Sequence, residues 1–325
     1  MGIKNLNRFL LDNCNKKSIT KIHLSKLTGK KLVIDVSIYL YKFLSENALM
    51  ENMYLFISIL KKYDISPIFI FDGKPPPEKK QLLIKRLIDK MEAEKKYLNI
   101  KEDLLSETNE EKKEEKIVEM ELLKKQFIRV KDDDVCKVKQ LFDAYGVSYF
   151  VAPCEADQLC AYLNKTEQVW GCVSDDMDMF LYGCNYVIRH ISLLNHTAVL
   201  YDRNKILSDL NMSSQIFNEI MILSGTDYNI NNETSLNETV KWYYEYMKYS
   251  EKELKNNKQP YSFYVWLIKN TKYIKNYELL LRTYQLFQLE KNDCLDNYKT
   301  EKNVININFE KLYNVMEKEG FLFVK

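Results

Sequence analysis

Four times along this 325-residue chain a short apolar run ends on, or just ahead of, a carboxylate. Lys31-Leu32-Val33-Ile34 leads into Asp35, and Pro67-Ile68-Phe69-Ile70-Phe71 into Asp72. Val147-Ser148-Tyr149-Phe150-Val151 precedes Glu155 and Asp157, and the run from Gln168 to Val173 precedes Asp176 and Asp178. Short runs of β-branched and aromatic residues bounded by turn formers read as buried strands. Helical spacing fills the gaps between them. Leu6, Phe9 and Leu10 share a face within residues 4–12, one helix passes through Tyr41 and Leu44, another covers Met53–Tyr63, and a further one lies near Asp134–Tyr145. This alternation predicts an α/β fold with a largely parallel central sheet flanked by helices. Tyr186–His190 and Thr197–Tyr201 look like a strand pair, and helices are expected near Ser213–Ser224, Thr239–Lys248, Tyr261–Lys269 and Tyr277–Leu289. In such a sheet a ligand site lies outside the carboxyl ends of the strands. The acids, together with Asp227, are therefore expected at one rim.

Each acid alone has an ordinary explanation. A strand-terminal aspartate caps the next helix, Glu155 and Asp157 suit a helix first turn, and Asp175, Asp176 and Asp178 suit an exposed loop. The number placed at one predicted edge argues against coincidence. Two unit charges at about 4 Å repel by roughly 4 kcal/mol at an effective dielectric near 20, so such a cluster calls for protonation or for cations. All-oxygen ligands select hard ions such as Mg²⁺ or Mn²⁺ over zinc. A calcium EF-hand starting at Asp176 is excluded, because Leu181 stands at the loop-glycine position and Val187 at that of the bidentate glutamate.

Composition narrows the class without naming a ligand. An apolar fraction of 46% with 13% aromatics is that of a globular chain, and a net charge of +2 neither favours nor opposes nucleic acid. The weight of Lys, Asn, Ile and Tyr is what AT-rich coding DNA produces, as in a large DNA virus or a compact-genome microbe. Seven cysteines (Cys14, Cys136, Cys154, Cys160, Cys172, Cys184 and Cys294) without a CxxC pair suggest reduced intracellular thiols. Three dispersed histidines do not make a metal site. No stretch is long and apolar enough to span a membrane, and the N-terminus lacks a signal-peptide core. A soluble, intracellular monomer is expected. From Glu78 to Lys131 the chain is charged, helical in pattern and free of glycine and proline, which predicts one or two projecting helices. Lys79, Arg86 and Lys90 fall on one face of that segment.

Met1-Gly2-Ile3, Ile34-Asp35, Phe71-Asp72-Gly73-Lys74-Pro75-Pro76, Ala152-Pro153-Cys154-Glu155-Ala156-Asp157, Asp175-Asp176-Met177-Asp178 and Leu223-Ser224-Gly225-Thr226-Asp227-Tyr228 together resemble the ordered motifs of the flap endonuclease/XPG family. The resemblance covers about residues 1–229. It implies a PIN-like nuclease core formed by residues 1–77 and 133–229, a helical arch over 78–132, and a helical C-terminal region over 230–325. It implies a structure-specific 5′ nuclease of DNA replication and repair, using two Mg²⁺ ions with Mn²⁺ as a substitute. Asp72 and Asp157 would bind one ion, with Asp35 and Glu155 acting through water; Asp176 and Asp178 would hold the second, with Asp227 in its shell. Asp175 stands where the family often has Glu. Lys79 and Arg86 match a Lys and an Arg that meet the reacting phosphate, with Lys80, Lys85 and Lys90 as further DNA contacts. Tyr41 matches an aromatic that stacks on a base beside the cut, although a core aromatic is the plain alternative, and Gly2 matches a glycine near the branch. The expected partner is branched DNA with a 5′ single strand.

Three departures stand out. The stretch from Tyr228 to Thr239 has no glycine, where the family builds a tight turn that grips duplex and often K⁺. Only about Ser45–Met53 joins the first metal-strand helix to the next. The terminal Phe321 and Phe323 are not spaced like a sliding-clamp peptide, so clamp binding is not expected. A 5′→3′ exonuclease or a junction or bubble nuclease on the same core is the alternative, favoured by Ala161-Tyr162-Leu163-Asn164-Lys165; RNA cleavage is not excluded. A non-catalytic DNA-binding relative is a further one.

Overall fold

The computed structural model describes residues 2–229, 234–289, 295, 298, 300 and 306–323. The chain opens with α1 (Leu6–Asn13) and β1 (Ile19–His23), then runs through β2 (Lys31–Asp35), α2 (Val36–Ser45), α3 (Leu49–Lys62) and β3 (Ser66–Phe71). A short turn leads into the projecting pair α4 (Lys80–Ser106) and α5 (Glu110–Gln126). Next come α6 (Asp132–Tyr145), β4 (Ser148–Val151), α7 (Ala156–Lys165), β5 (Gly171–Val173), α8 (Met179–Tyr182), β6 (Tyr186–Ser192) and β7 (Thr197–Asp202). Helices α9 (Arg203–Asp209), α10 (Ser214–Leu223), α11 (Leu236–Lys255), α12 (Phe263–Asn270), α13 (Tyr277–Leu286) and α14 (Phe309–Glu317) follow.

Among the described residues seven strands form one sheet in the order β1-β7-β6-β5-β2-β3-β4. The five strands from β4 to β6 are parallel, while β7 runs antiparallel to both β6 and β1, so the sheet is mixed. β1 is absent from the sequence-based expectation for a physical reason. It is an edge strand with no fully buried residue, and it leaves no apolar alternation to read.

The central strands explain their own composition. In β2, Val33 joins one core while Leu32 and Ile34 join the other; in β3, Ile68 and Ile70 face the first and Phe69 and Phe71 the second. Period-two alternation with both faces covered makes the whole run apolar. The first face carries α1, α7, α8 and α10–α13, and the second α2, α3 and α6. The final helix α14 returns to this second face, where Leu312 and Met316 share a core with Phe142. Beyond it Phe321 and Phe323 pack on Tyr54, with ring centroids 5.2 and 5.9 Å away. No helix among the described residues is long and apolar enough to cross a membrane.

Strand order reverses beside β2, whose two neighbours are β3 and β5. Loops leaving β2 and β5 at that switch point diverge to opposite faces and open a crevice at their carboxyl ends. The acids stand there. On the second face, Phe142 is fully buried and stacks on Phe69 of β3 at 4.2 Å. Replacing Phe142 with Ala is expected to cost about 3–5 kcal/mol, read as a lower urea midpoint with an unchanged slope.

Candidate active site

The crevice of about 260 Å³ is lined by Asp35, Asp72, Glu155, Asp157 and Asp176, with Ser37, Tyr41, Lys79, Leu83 and Arg86 around them. Each acid is set by its own strand end. Asp35 ends β2 and caps α2, its Oδ1 accepting from Ser37 N at 3.0 Å, while Ser174 Oγ donates to Oδ2 at 3.3 Å. The capping explanation thus holds for one oxygen of Asp35 without removing the residue from the cluster. Asp72 accepts from Ser37 Oγ at 2.5 Å and from Ala156 N at 2.8 Å, so it caps α7 in place of that helix's own N-cap residue, Glu155. Asp157 lies in the first turn of α7. Asp176 accepts from Asp178 N at 3.0 Å, a local turn that folds both side chains inward.

Asp227 reaches the cluster from the loop after α10. Gly225 takes φ +104° there, and Asn229 closes the loop by accepting from Thr226 N and Thr226 Oγ1 and donating to Ile222 O at 2.8 Å. Asn229 thereby meets part of the need that a glycine turn would meet, since an Asx side chain can satisfy a tight backbone turn. Of the glycine-free stretch, residues 230–233 lie outside the described residues.

Two cations neutralise the acids. Lys79 Nζ donates to Glu155 Oε1 and lies 3.9 Å from Asp227, and Arg86 Nη2 donates to Asp227 Oδ2 at 2.7 Å. Burial alone would lower the Lys79 ammonium, but Glu155, Asp157 and Asp227 outweigh it and hold its pKa above the ordinary lysine value. Four other carboxyls, Asp35, Asp157, Asp176 and Asp178, are pushed upward. Burial, then the charge of Asp72, raises Asp35 to about 8. Burial, then Asp35 and Asp176, raises Asp157; burial, then Asp176 and Asp227, raises Asp178. Burial also raises Asp176, against the donation from Asp178 N.

Other residues singled out in the sequence fall into different places. Gly2 sits over the acids with φ +75°; a Cβ there would lie 2.6 Å from Asp176 Oδ1 and from Asp178 Oδ1. Tyr41 is 45% exposed at the mouth of the crevice, which rules out the core-aromatic reading. Lys90 is outside the crevice lining, with Nζ bonded to Ile128 O at 2.9 Å and 4.9 Å above the Tyr41 ring. Lys80 and Lys85 are exposed and also outside that lining. Asp175 turns to the β6 side, where its carboxylate accepts from His190 N at 2.8 Å. Sequence reasoning did not single out Ser37, Ser174, Asn229 or the hydroxyl of Tyr228. Only Ser37, two residues beyond an N-cap aspartate, left a readable signal.

A cation fits this arrangement on one observation. Asp157 Oδ1 and Asp178 Oδ1 are buried carboxylate oxygens without a hydrogen-bond donor. Buried acceptors in that condition are costly, and a hard cation satisfies them. Among the described residues no three His, Cys, Asp or Glu side chains form a ready-made shell for one ion.

Comparison with known proteins matches the architecture. The family description "XPG N-terminal domain" covers residues 1–93 and "XPG I-region" residues 146–227. A probable RAD2-like endonuclease, 369L, of Invertebrate iridescent virus 6 is 30% identical over 284 residues, spanning 71% of this chain and 68% of that protein. Flap endonuclease 1 of Debaryomyces hansenii is 31% identical over 247 residues, spanning 70% of this chain. The chain spans 62% of that relative's length. The catalytic core of Rad2 in complex with a DNA substrate superposes with TM-score 0.67 at 21% identity, covering 98% of this chain and 95% of that one. Flap endonuclease-1 from Methanococcus jannaschii gives 0.54 at 22% identity, covering 93% and 97%. This chain belongs to the XPG family of nucleases.

The raised acids have a consequence for stability. With Asp35 at about 8 in the folded chain against an ordinary 3.8, the folded state binds more protons than the unfolded one between those values. Stability is therefore full below the unfolded value and falls as pH rises through the folded one. In chelating buffer the melting temperature should drop across this window, and Asp35→Asn should flatten the slope. Thermal melts across the range check this; a rising melting temperature would contradict it.

Proposed function

We propose that this chain is a divalent-metal-dependent, structure-specific 5′ nuclease that hydrolyses DNA phosphodiesters at the junction of a 5′ flap, in DNA replication or repair. The observation carrying this reading is the pair of donorless oxygens, Asp157 Oδ1 in the acid-lined crevice that Lys79 and Arg86 also line, and Asp178 Oδ1 buried behind that lining. Asp72 and Asp157 would hold one Mg²⁺, and Asp176 and Asp178 a second with Asp227 nearby; Mn²⁺ would substitute. When bound, the ions supply water activation and neutralise charge at the reacting phosphate. Asp35 and Glu155 would act on the ions through coordinated water.

The chain's own residues do the rest. Lys79 and Arg86 stand at the root of α4 facing the acids, where an incoming phosphate would take over their charge-assisted bonds and be stabilised as negative charge develops. Tyr41 offers an exposed ring beside the crevice on which an unpaired base would stack. The α4–α5 pair projects above, and a 5′ single strand would pass along it. The relatives named as flap endonucleases and the Rad2 core solved with DNA substrate support branched DNA as the partner.

A labelled double-flap substrate with Mg²⁺ should be cut near the branch to leave a 5′-phosphate, and a panel of nicked, blunt and bubble DNAs separates this from an exonuclease or junction nuclease. Asp176→Asn should abolish cleavage while leaving the circular dichroism spectrum unchanged; unimpaired turnover would overturn the assignment. Removing Lys79 or Arg86 as Ala should lower kcat by about 10²–10³ in single-turnover assays.

A further inference from the structure

Glu155 is gripped at both carboxylate oxygens. Lys79 Nζ donates to Oε1, and the Tyr228 hydroxyl donates to Oε2 at 2.5 Å. Tyr228 is itself braced. Its hydroxyl lies 3.0 Å from that of Tyr182, and both rings pack on Phe287, at 5.5 and 4.8 Å between centroids. Its backbone N donates to Thr226 Oγ1, and the Lys79 ammonium lies 5.7 Å from its ring centroid. Both phenols are buried, at 7% and 1% exposure.

The proton order in this chain follows from donor capacity. A phenol has one proton, and an ionised carboxylate only accepts. With Lys79 paired to Glu155, the Tyr228 proton goes to Oε2, so Tyr182 must donate to the Tyr228 oxygen. The result is a buried, one-directional relay of hydrogen bonds, Tyr182 to Tyr228 to Glu155. It ties the loop after α10, which carries Asp227, to the N-cap of α7, which follows β4.

We propose that Tyr228, backed by Tyr182, is a positioning residue for Glu155: it holds that carboxylate in one rotamer across from Lys79 and thereby sets the acid rim for cation and phosphate. The proposal rests on the nuclease reading for what Glu155 does. Without the hydroxyl, Oε2 becomes a buried acceptor with no donor, and Glu155 turns toward water or toward Lys79. Groups that orient metal-site acids in this way are worth about 10–100-fold in metal affinity or activity when removed.

Tyr228→Phe keeps the ring on Phe287 and removes only the donor. In the full chain, with a double-flap DNA substrate, it should lower kcat about 10–100-fold and leave KM for DNA within about twofold. Calorimetric titration should show Mn²⁺ binding weakened about tenfold, with the melting temperature in chelator little changed. Tyr182→Phe should move both readings in the same direction by less. Wild-type kcat and Mn²⁺ affinity in Tyr228→Phe overturn the proposal, as does a loss of kcat that tracks KM and melting temperature, the mark of a merely structural hydroxyl. If Tyr228→Phe fails to fold, Tyr182→Phe decides by the same two readings. A wild type that binds Mn²⁺ but cuts no branched DNA defeats the nuclease reading alone, and the titration still judges Tyr228. A wild type that binds no Mn²⁺ defeats both.

Discussion

Carboxylates brought out of water beside one another repel more strongly than they would on a surface, because the medium between them screens less. Asp35, Asp157, Asp176 and Asp178 are in that position, and burial heads the causes that push each of them upward. Much of the surrounding structure follows from containing this repulsion. Ser37, Ser174 and the backbone N–H groups of Ala156 and Asp178 each supply a donor, and Lys79 and Arg86 supply positive charge. Gly2 packs where any side chain would meet Asp176 and Asp178. A protein selected for stability alone would replace such a cluster with apolar side chains; retaining it is the mark of a site that works with charge.

The same interaction anchors the projecting helices. α4 and α5 bury only Ala93 and Leu123 fully, so little apolar packing holds the pair in place. What ties their base to the core is polar: Lys79 on Glu155, Arg86 on Asp227, and Lys90 over the exposed ring of Tyr41. Charge-assisted bonds of this kind are strong but exchangeable. A phosphate or a cation that competes for them acts on the acids and on the root of α4 together.

Much of the fold was legible because buried parallel strands carry an unmistakable pattern. The middles of β2 and β3 are apolar since both faces are covered; β2 ends on Asp35, and Asp72 follows the last residue of β3. β1 was illegible, since an exposed edge strand has no apolar side to display. α14 was missed as well; its two buried residues, Leu312 and Met316, form a stripe too short to stand out in a polar stretch. At the site, Lys79 and Arg86 stood out through the family resemblance, since their spacing suits a solvated face equally, and most of the acids could be found from their places after the strand runs. Their hydroxyl partners could not, because Ser174, Tyr182 and Tyr228 look like any other Ser or Tyr until folding brings them to an acid. Lys90 shows the opposite limit. Its helical spacing with Arg86 is real, yet its ammonium is engaged by Ile128 O, just past the end of α5 and outside the crevice.

Local sequence determined the strand runs, the acids that end them and the long charged helices, because periodicity and turn chemistry act over a few residues. Tertiary structure decided which oxygens were left without a donor, which lysine faced the acids, and that Asp72 would cap α7 from a neighbouring strand. Those outcomes depend on distances between segments far apart in the chain, and no local rule contains them.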